Sequence, residues 1–187
     1  GNTPVNVFMN EVCGESYDSG SKLVTITDLK KAACLPWPRE LDAAKEHIDE
    51  YNHRICAVDW GGGGVSKGKS DMAYQSYTSI AVLGHSATGK IDVLYGFRSL
   101  HPHAHVREAK VILGIMNHFK CSHLVHDYTG AGTVRETVMS QAGLPQPNIV
   151  PIAYVGTAKG NVLNFKPATD LHPRDHFTMD KARSLNY

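Results

Sequence analysis

An excess of charge of either sign is missing from this chain: 19 lysines and arginines stand against 18 aspartates and glutamates in 187 residues. That balance excludes a broadly basic nucleic-acid-coating protein, so any basic surface must be local. No apolar run approaches transmembrane length, and the first residues lack the basic-then-apolar pattern of a secretory signal. A membrane partner is therefore not expected. Cys13, Cys34, Cys56 and Cys121 are scattered, with no short spacing between any two. They exclude a disulfide framework and read as reduced thiols of a cytosolic protein. Internal repeats and low-complexity tracts are also missing, and the length suits one domain with a real core.

What is present is a pair of matched segments. Arg54-Ile-Cys-Ala-Val-Asp59 runs into Trp60 and four glycines, and Cys121-Ser-His-Leu-Val-His-Asp127 runs into Tyr-Thr-Gly-Ala-Gly132. Each is a short, mostly apolar stretch that ends in an aspartate and then meets glycine, the pattern of a buried strand leaving its sheet. A carboxylate at a strand exit is costly to bury alone, and two on neighbouring strands repel unless a divalent cation lies between them. The pattern suggests a metal-dependent enzyme.

The rest of the chain supplies the context. Residues 1–38 carry turn-rich pieces, a strand candidate at Lys22–Ile26 and a helix candidate after Thr27 that Pro36-Trp-Pro38 ends. Leu41, Ala44, Ile48 and Tyr51 recur at helical spacing. Gln75–Gly84 and Lys90–Arg98 predict two strands joined by a hairpin at His85–Gly89. A helix is predicted over His105–Phe119, with Val106, Ala109, Ile112, Leu113 and Met116 on one face. Thr133 and Glu136 form a capping box for a helix to about Gln141, a strand follows at Asn148–Val155, and Thr178 is a candidate cap for a last helix. Strands alternating with helices in the second half predict parallel pairing there, and the hairpin adds antiparallel strands.

This β-β-β-α-β-α-β order, with an aspartate closing the first and fourth strands, resembles the ribonuclease H fold. Val58-Asp59-Trp60-Gly61, Asp127-Tyr128-Thr-Gly130-Ala-Gly132 and the opening Val7-Phe-Met-Asn-Glu11-Val-Cys-Gly14-Glu narrow the likeness to the large terminase subunit of tailed bacteriophages. The resemblance covers most of residues 4–187. It implies an α/β, ribonuclease H-like mixed five-stranded sheet, with antiparallel hairpin strands plus parallel strands, flanked by helices. Residues 1–52 would be an interdomain linker and peripheral helix, and 53–187 a nuclease domain truncated at its C-terminus. Strands one and four would be parallel neighbours, bringing Asp59 and Asp127 to one sheet edge.

The activity so implied is endonucleolytic cutting of concatemeric double-stranded viral DNA during genome packaging. Two Mg²⁺ or Mn²⁺ ions about 4 Å apart activate a water and neutralise the phosphate in such chemistry. Asp59 would ligate both ions and Asp127 one. The family's third acid is sought at Asp170, Asp175 or Asp180, with Asp180 the candidate carried forward, or beyond Tyr187. Partners would be double-stranded DNA, the ATPase domain of the same full-length chain, the small terminase subunit and the portal protein. The place of action would be the packaging motor on the procapsid, in the cytoplasm of the infected host. Lys67, Lys69 and Lys159 are candidate DNA-backbone contacts, with Arg107 and Lys166 behind them.

Other readings compete with these. The same fold serves resolvase and transposase cores, and a non-catalytic domain docking DNA or portal would keep the fold without the cutting. Gly84–Lys90 nearly matches a phosphate-binding loop, but Ile91 stands where Ser or Thr should be and a strand follows, so a hairpin turn is the better reading. His118, Cys121, His123 and His126 are close in sequence, yet a strand puts His123 and His126 on opposite sides.

Overall fold

Strict alternation makes the central strands. Along Tyr51–Asp59 (β1), Cys56 and Val58 are buried while Ile55 and Ala57 are only partly covered. Along Thr78–Ser86 (β2), Thr78, Ile80 and Val82 are buried and their neighbours are not. A period of two puts one set of side chains on each face, so one face is sealed and the other half-open. The coordinates are a computed structural model. The structure describes residues 26–35, 41–61, 77–99, 105–130, 132–156, 160–170 and 172–184.

The chain divides into two compact units, 1–36 and 37–187. The first contributes one described helix, α1 (Ile26–Ala32), in line with the helix candidate near Thr27. Lys22 to Thr25 of the strand candidate lie outside the described residues, and Ile26 is helical. In the second unit, α2 (Leu41–Lys45) and a 3₁₀ turn (Ile48–Glu50) replace the single helix expected to Tyr51, which instead opens β1. The expected boundary after residue 52 falls within that strand.

After β2 come β3 (Ile91–Ser99), α3 (His105–His118), β4 (His123–Asp127), α4 (Gly132–Gln141), a 3₁₀ turn at Gln146–Asn148, β5 (Ile149–Val155), β6 (Leu163–Lys166), β7 (His176–Asp180) and α5 (Lys181–Ser184). The seven described strands form one sheet in the order β3-β2-β1-β4-β5-β7-β6. β3, β2 and β1 pair antiparallel; β1, β4, β5 and β7 run parallel; β6 returns antiparallel on β7. The expected sheet of five strands is thus corrected to seven. β6 is four residues long with a weak apolar alternation, and β7 holds Thr178, expected at a helix cap but found inside a strand.

The hairpin turn holds as read: Gly89 N–H donates to the Ser86 carbonyl (3.0 Å) and Ser86 N–H to that of Lys90 (2.9 Å). On α3, Ala109, Ile112, Ile115 and Met116 are buried and pack with Phe119 in the core, while Val106, expected on that face, is 62% exposed. Burying Ile112 fully contributes about 2–3 kcal/mol relative to leaving it in water. No described helix is long and apolar enough to cross a membrane.

Candidate metal centre

The two aspartates close the two central parallel strands. β1 and β4 pair with Ile55 beside His123 and Val58 beside His126. One step further, Asp59 and Asp127 are therefore level, on strands about 4.8 Å apart. By alternation they share the half-open face with Ala57 and Val125. A cleft of about 240 Å³ opens there, lined by Asp59, Asp127, Ser79, Ala57, Ile152 and Tyr154 among others. The larger hollow of about 460 Å³, between α4 and the loop at Gly143–Gln146, has no carboxylate pair, and its one acid, Glu136, is already engaged by Arg174 and His126.

The carboxylates differ in restraint. Asp127 Oδ1 accepts hydrogen bonds from Thr129 N–H (2.8 Å) and the Thr129 hydroxyl (2.6 Å), which orients the group. Asp59 is exposed and takes no hydrogen bond from any described residue. Neither forms an ion pair among the described residues. Their shared field registers on Tyr154, whose phenol pKa is raised above its ordinary value by burial first, then by the charges of Asp127 and Asp59. Its O–H therefore stays a donor at neutral pH, beside both carboxylates.

The turn after Asp127 is tight. Gly130 sits at φ +58°, a left-handed conformation few side chains tolerate. A Cβ on Gly132 would lie 2.1 Å from the Asp127 carbonyl oxygen, so only glycine lets α4 start this close to the strand end. Gly132 N–H bonds the Thr129 carbonyl at 3.0 Å, and Tyr128 N–H reaches across to Ile152 O at 2.8 Å.

Beneath the aspartates lies a buried polar chain the sequence did not disclose. The Trp60 indole N–H donates to His126 Nδ1 at 2.9 Å. An indole nitrogen only donates, so Nδ1 carries the lone pair and Nε2 the proton, which points to Glu136 Oε2 at 3.3 Å. The Asp127 carbonyl oxygen, 3.0 Å from the same Nδ1, is then a contact and not a hydrogen bond. Glu136 also pairs with Arg174 at 2.5 Å. This corrects the capping box: α4 begins at Gly132 and the Glu136 carboxylate turns inward. His126 is 2% exposed and His123 is exposed on the opposite side, as the alternation required.

Asp180 does not join the pair. β5 and β7 align Ile152 with Phe177, and β4 and β5 align Asp127 with Ile152, so Asp180 stands two strands across and three residues beyond. It is 3% exposed, and its Oδ1 accepts from Arg183 N–H at 3.0 Å, capping α5. Asp175 is also engaged, accepting from Ala168 N–H at 2.7 Å. Lys67, Lys69 and Lys159 lie outside the described residues. Among the described residues no group of three His, Cys, Asp or Glu side chains converges.

Two hard oxygen donors with open space beside them fit Mg²⁺ or Mn²⁺, since Mg²⁺ keeps several waters and is commonly held by one or two carboxylates plus substrate phosphates. Compared with known proteins, the chain matches no family model, no curated protein and no solved structure.

Proposed function

We propose that this chain is a metal-dependent endonuclease domain of ribonuclease H-like type, from the large terminase subunit of a tailed bacteriophage. In that reading it cuts concatemeric double-stranded DNA during packaging, alongside the ATPase domain, the small subunit and the portal, at the procapsid. The observation that carries it is the level pair Asp59 and Asp127, on adjacent parallel strand ends, with no described cation to neutralise either. The order β3-β2-β1-β4-β5, antiparallel then parallel, supports the fold part of the reading.

Bound divalent ions there would supply charge neutralisation and an activated water for phosphodiester hydrolysis. Asp59 and Asp127 would hold them. Thr129 fixes the lone pairs of Asp127, and the Tyr154 hydroxyl offers a donor to a phosphate oxygen entering the cleft. A second reading, a non-catalytic DNA- or portal-docking domain, is favoured by one fact: no third acid converges on the pair among the described residues.

A plasmid-nicking assay with Mn²⁺, Mg²⁺ and EDTA separates the two. The nuclease reading expects metal-dependent nicking, abolished in both Asp59→Asn and Asp127→Asn. Cutting that survives in both variants sinks the assigned site, and plasmid binding without cutting under every metal condition supports the docking reading.

A further inference from the structure

We propose that Trp60 and His126 are positioning residues for the carboxylate pair, joining the exits of β1 and β4 by one hydrogen bond; this rests on the reading of that pair as a divalent-cation site. The ladder between β1 and β4 ends at Val58 and His126. Asp59 and Asp127 lie one residue past it, where no backbone pairing between the two strands restrains them and like charges push them apart. The residue just after β1, Trp60, reaches back to His126, the last residue of β4 paired with β1, at 2.9 Å, with the rings edge to face at 5.8 Å. That bond restrains the strands beyond the point where the ladder stops.

The bond is itself braced. His126 is held by Glu136 on α4, Glu136 by Arg174, and Arg174 Nη2 by the carbonyls of Gln146 (3.0 Å) and Ile149 (2.8 Å) at the start of β5. Arg135 stacks its guanidinium 5.4 Å from the Trp60 ring centre. Such outer partners orient ligands without touching the cation, and their loss commonly weakens metal affinity.

Isothermal titration of Mn²⁺ into the full chain, at one pH and salt, tests this on binding and not on cutting. Two substitutions at His126 separate the hydrogen bonds. His126→Asn places a carboxamide oxygen near the former Nδ1 and keeps an acceptor for Trp60. His126→Gln reaches Glu136 instead and abandons Trp60. We expect Trp60→Phe and His126→Gln to weaken Mn²⁺ binding on the order of tenfold, with His126→Asn close to the wild type. Equal affinity in all four proteins overturns the positioning role, as does equal loss in Asn and Gln, which would mean that ring volume alone matters. A wild type that binds no Mn²⁺ removes the cation site itself, and the proposal with it. Circular dichroism confirms folding of each variant; should Trp60→Phe not fold, the Asn–Gln comparison decides.

Discussion

Asp59 and Asp127 are the same residue under different restraint, and that difference sets what each substitution does. Asp127 is oriented by Thr129, whereas Asp59 makes no described hydrogen bond, and two like charges on level strand ends repel. Removing the Asp59 charge therefore loses no described contact and relieves repulsion. In EDTA at low salt, Asp59→Asn should unfold at higher urea than the wild type, by about 1 kcal/mol or less for so exposed a group, with the gain shrinking as salt rises. A loss of stability instead would mean the carboxylate has a stabilising partner and the repelling pair is not there. Stability gained where function is lost is the expected sign of a site built for a ligand. The two aspartates were legible because a strand end followed by glycine marks its residues within a few positions. The buried chain below them was not: Trp60 and His126 are 66 residues apart, and Glu136 looked like a cap because three-residue spacing from Thr133 is all a sequence shows.

Among the elements, the two helices on the sealed face are tied by a buried ion pair. Glu108 on α3 and Arg135 on α4 are each 3% exposed and bonded to one another. Neither charge is welcome in the interior alone, so the pair matters less for what it adds than for what its rupture costs. Glu108→Gln keeps the shape and drops the charge, and should destabilise the fold by about 3 kcal/mol in urea unfolding. The double replacement Glu108→Leu with Arg135→Leu should regain most of that. If the single variant matches the wild type, the helices are not joined there. Because Arg135 also stacks on Trp60, the single change should disturb the indole's near-ultraviolet signal. The period-two and period-3.6 patterns disclosed β1 to β5 and α3, whereas α4, ten residues with little apolar face, was found only from the spacing of Thr133 and Glu136. They missed β6 and β7, whose few residues are recruited by pairing with each other and with β5 and carry no strong pattern of their own. The helix expected through Tyr51 failed for the opposite reason: Tyr51 keeps helical spacing but is captured by β2, where it pairs with Ser86.

At the scale of the second unit, the sheet is sealed on one face and half-open on the other, and the described thiols and phenols whose pKa is displaced are all raised. The sealed face holds Cys56, wholly buried on β1, with its thiol pushed up to about 12 by burial and then by Cys121. Cys121 is pushed to about 11 by burial, with Arg54 pulling the other way. Tyr51 is pushed to about 12 by burial and its bond to Asp92. Each of these folded-state values lies above the ordinary one, so the unfolded chain loses its proton first. Between pH 9 and 12 the native state binds more protons than the unfolded state, and stability must fall as pH rises through that window. The slope sets in about one unit below the ordinary thiol value, near pH 8, and below that these groups contribute almost none. Urea midpoints should therefore be level on their account below about pH 8 and decline steadily above 9. In Cys56→Ala the starting stability drops for want of packed volume, but the decline between pH 9 and 11 should be shallower than in the wild type. Parallel declines in the two proteins would show that the Cys56 thiolate is solvated in the native state, which would place β1 outside the sealed face. Asp59 lies on the other face of that same strand, so the alkaline titration also tests the alternation that turns it toward the cleft.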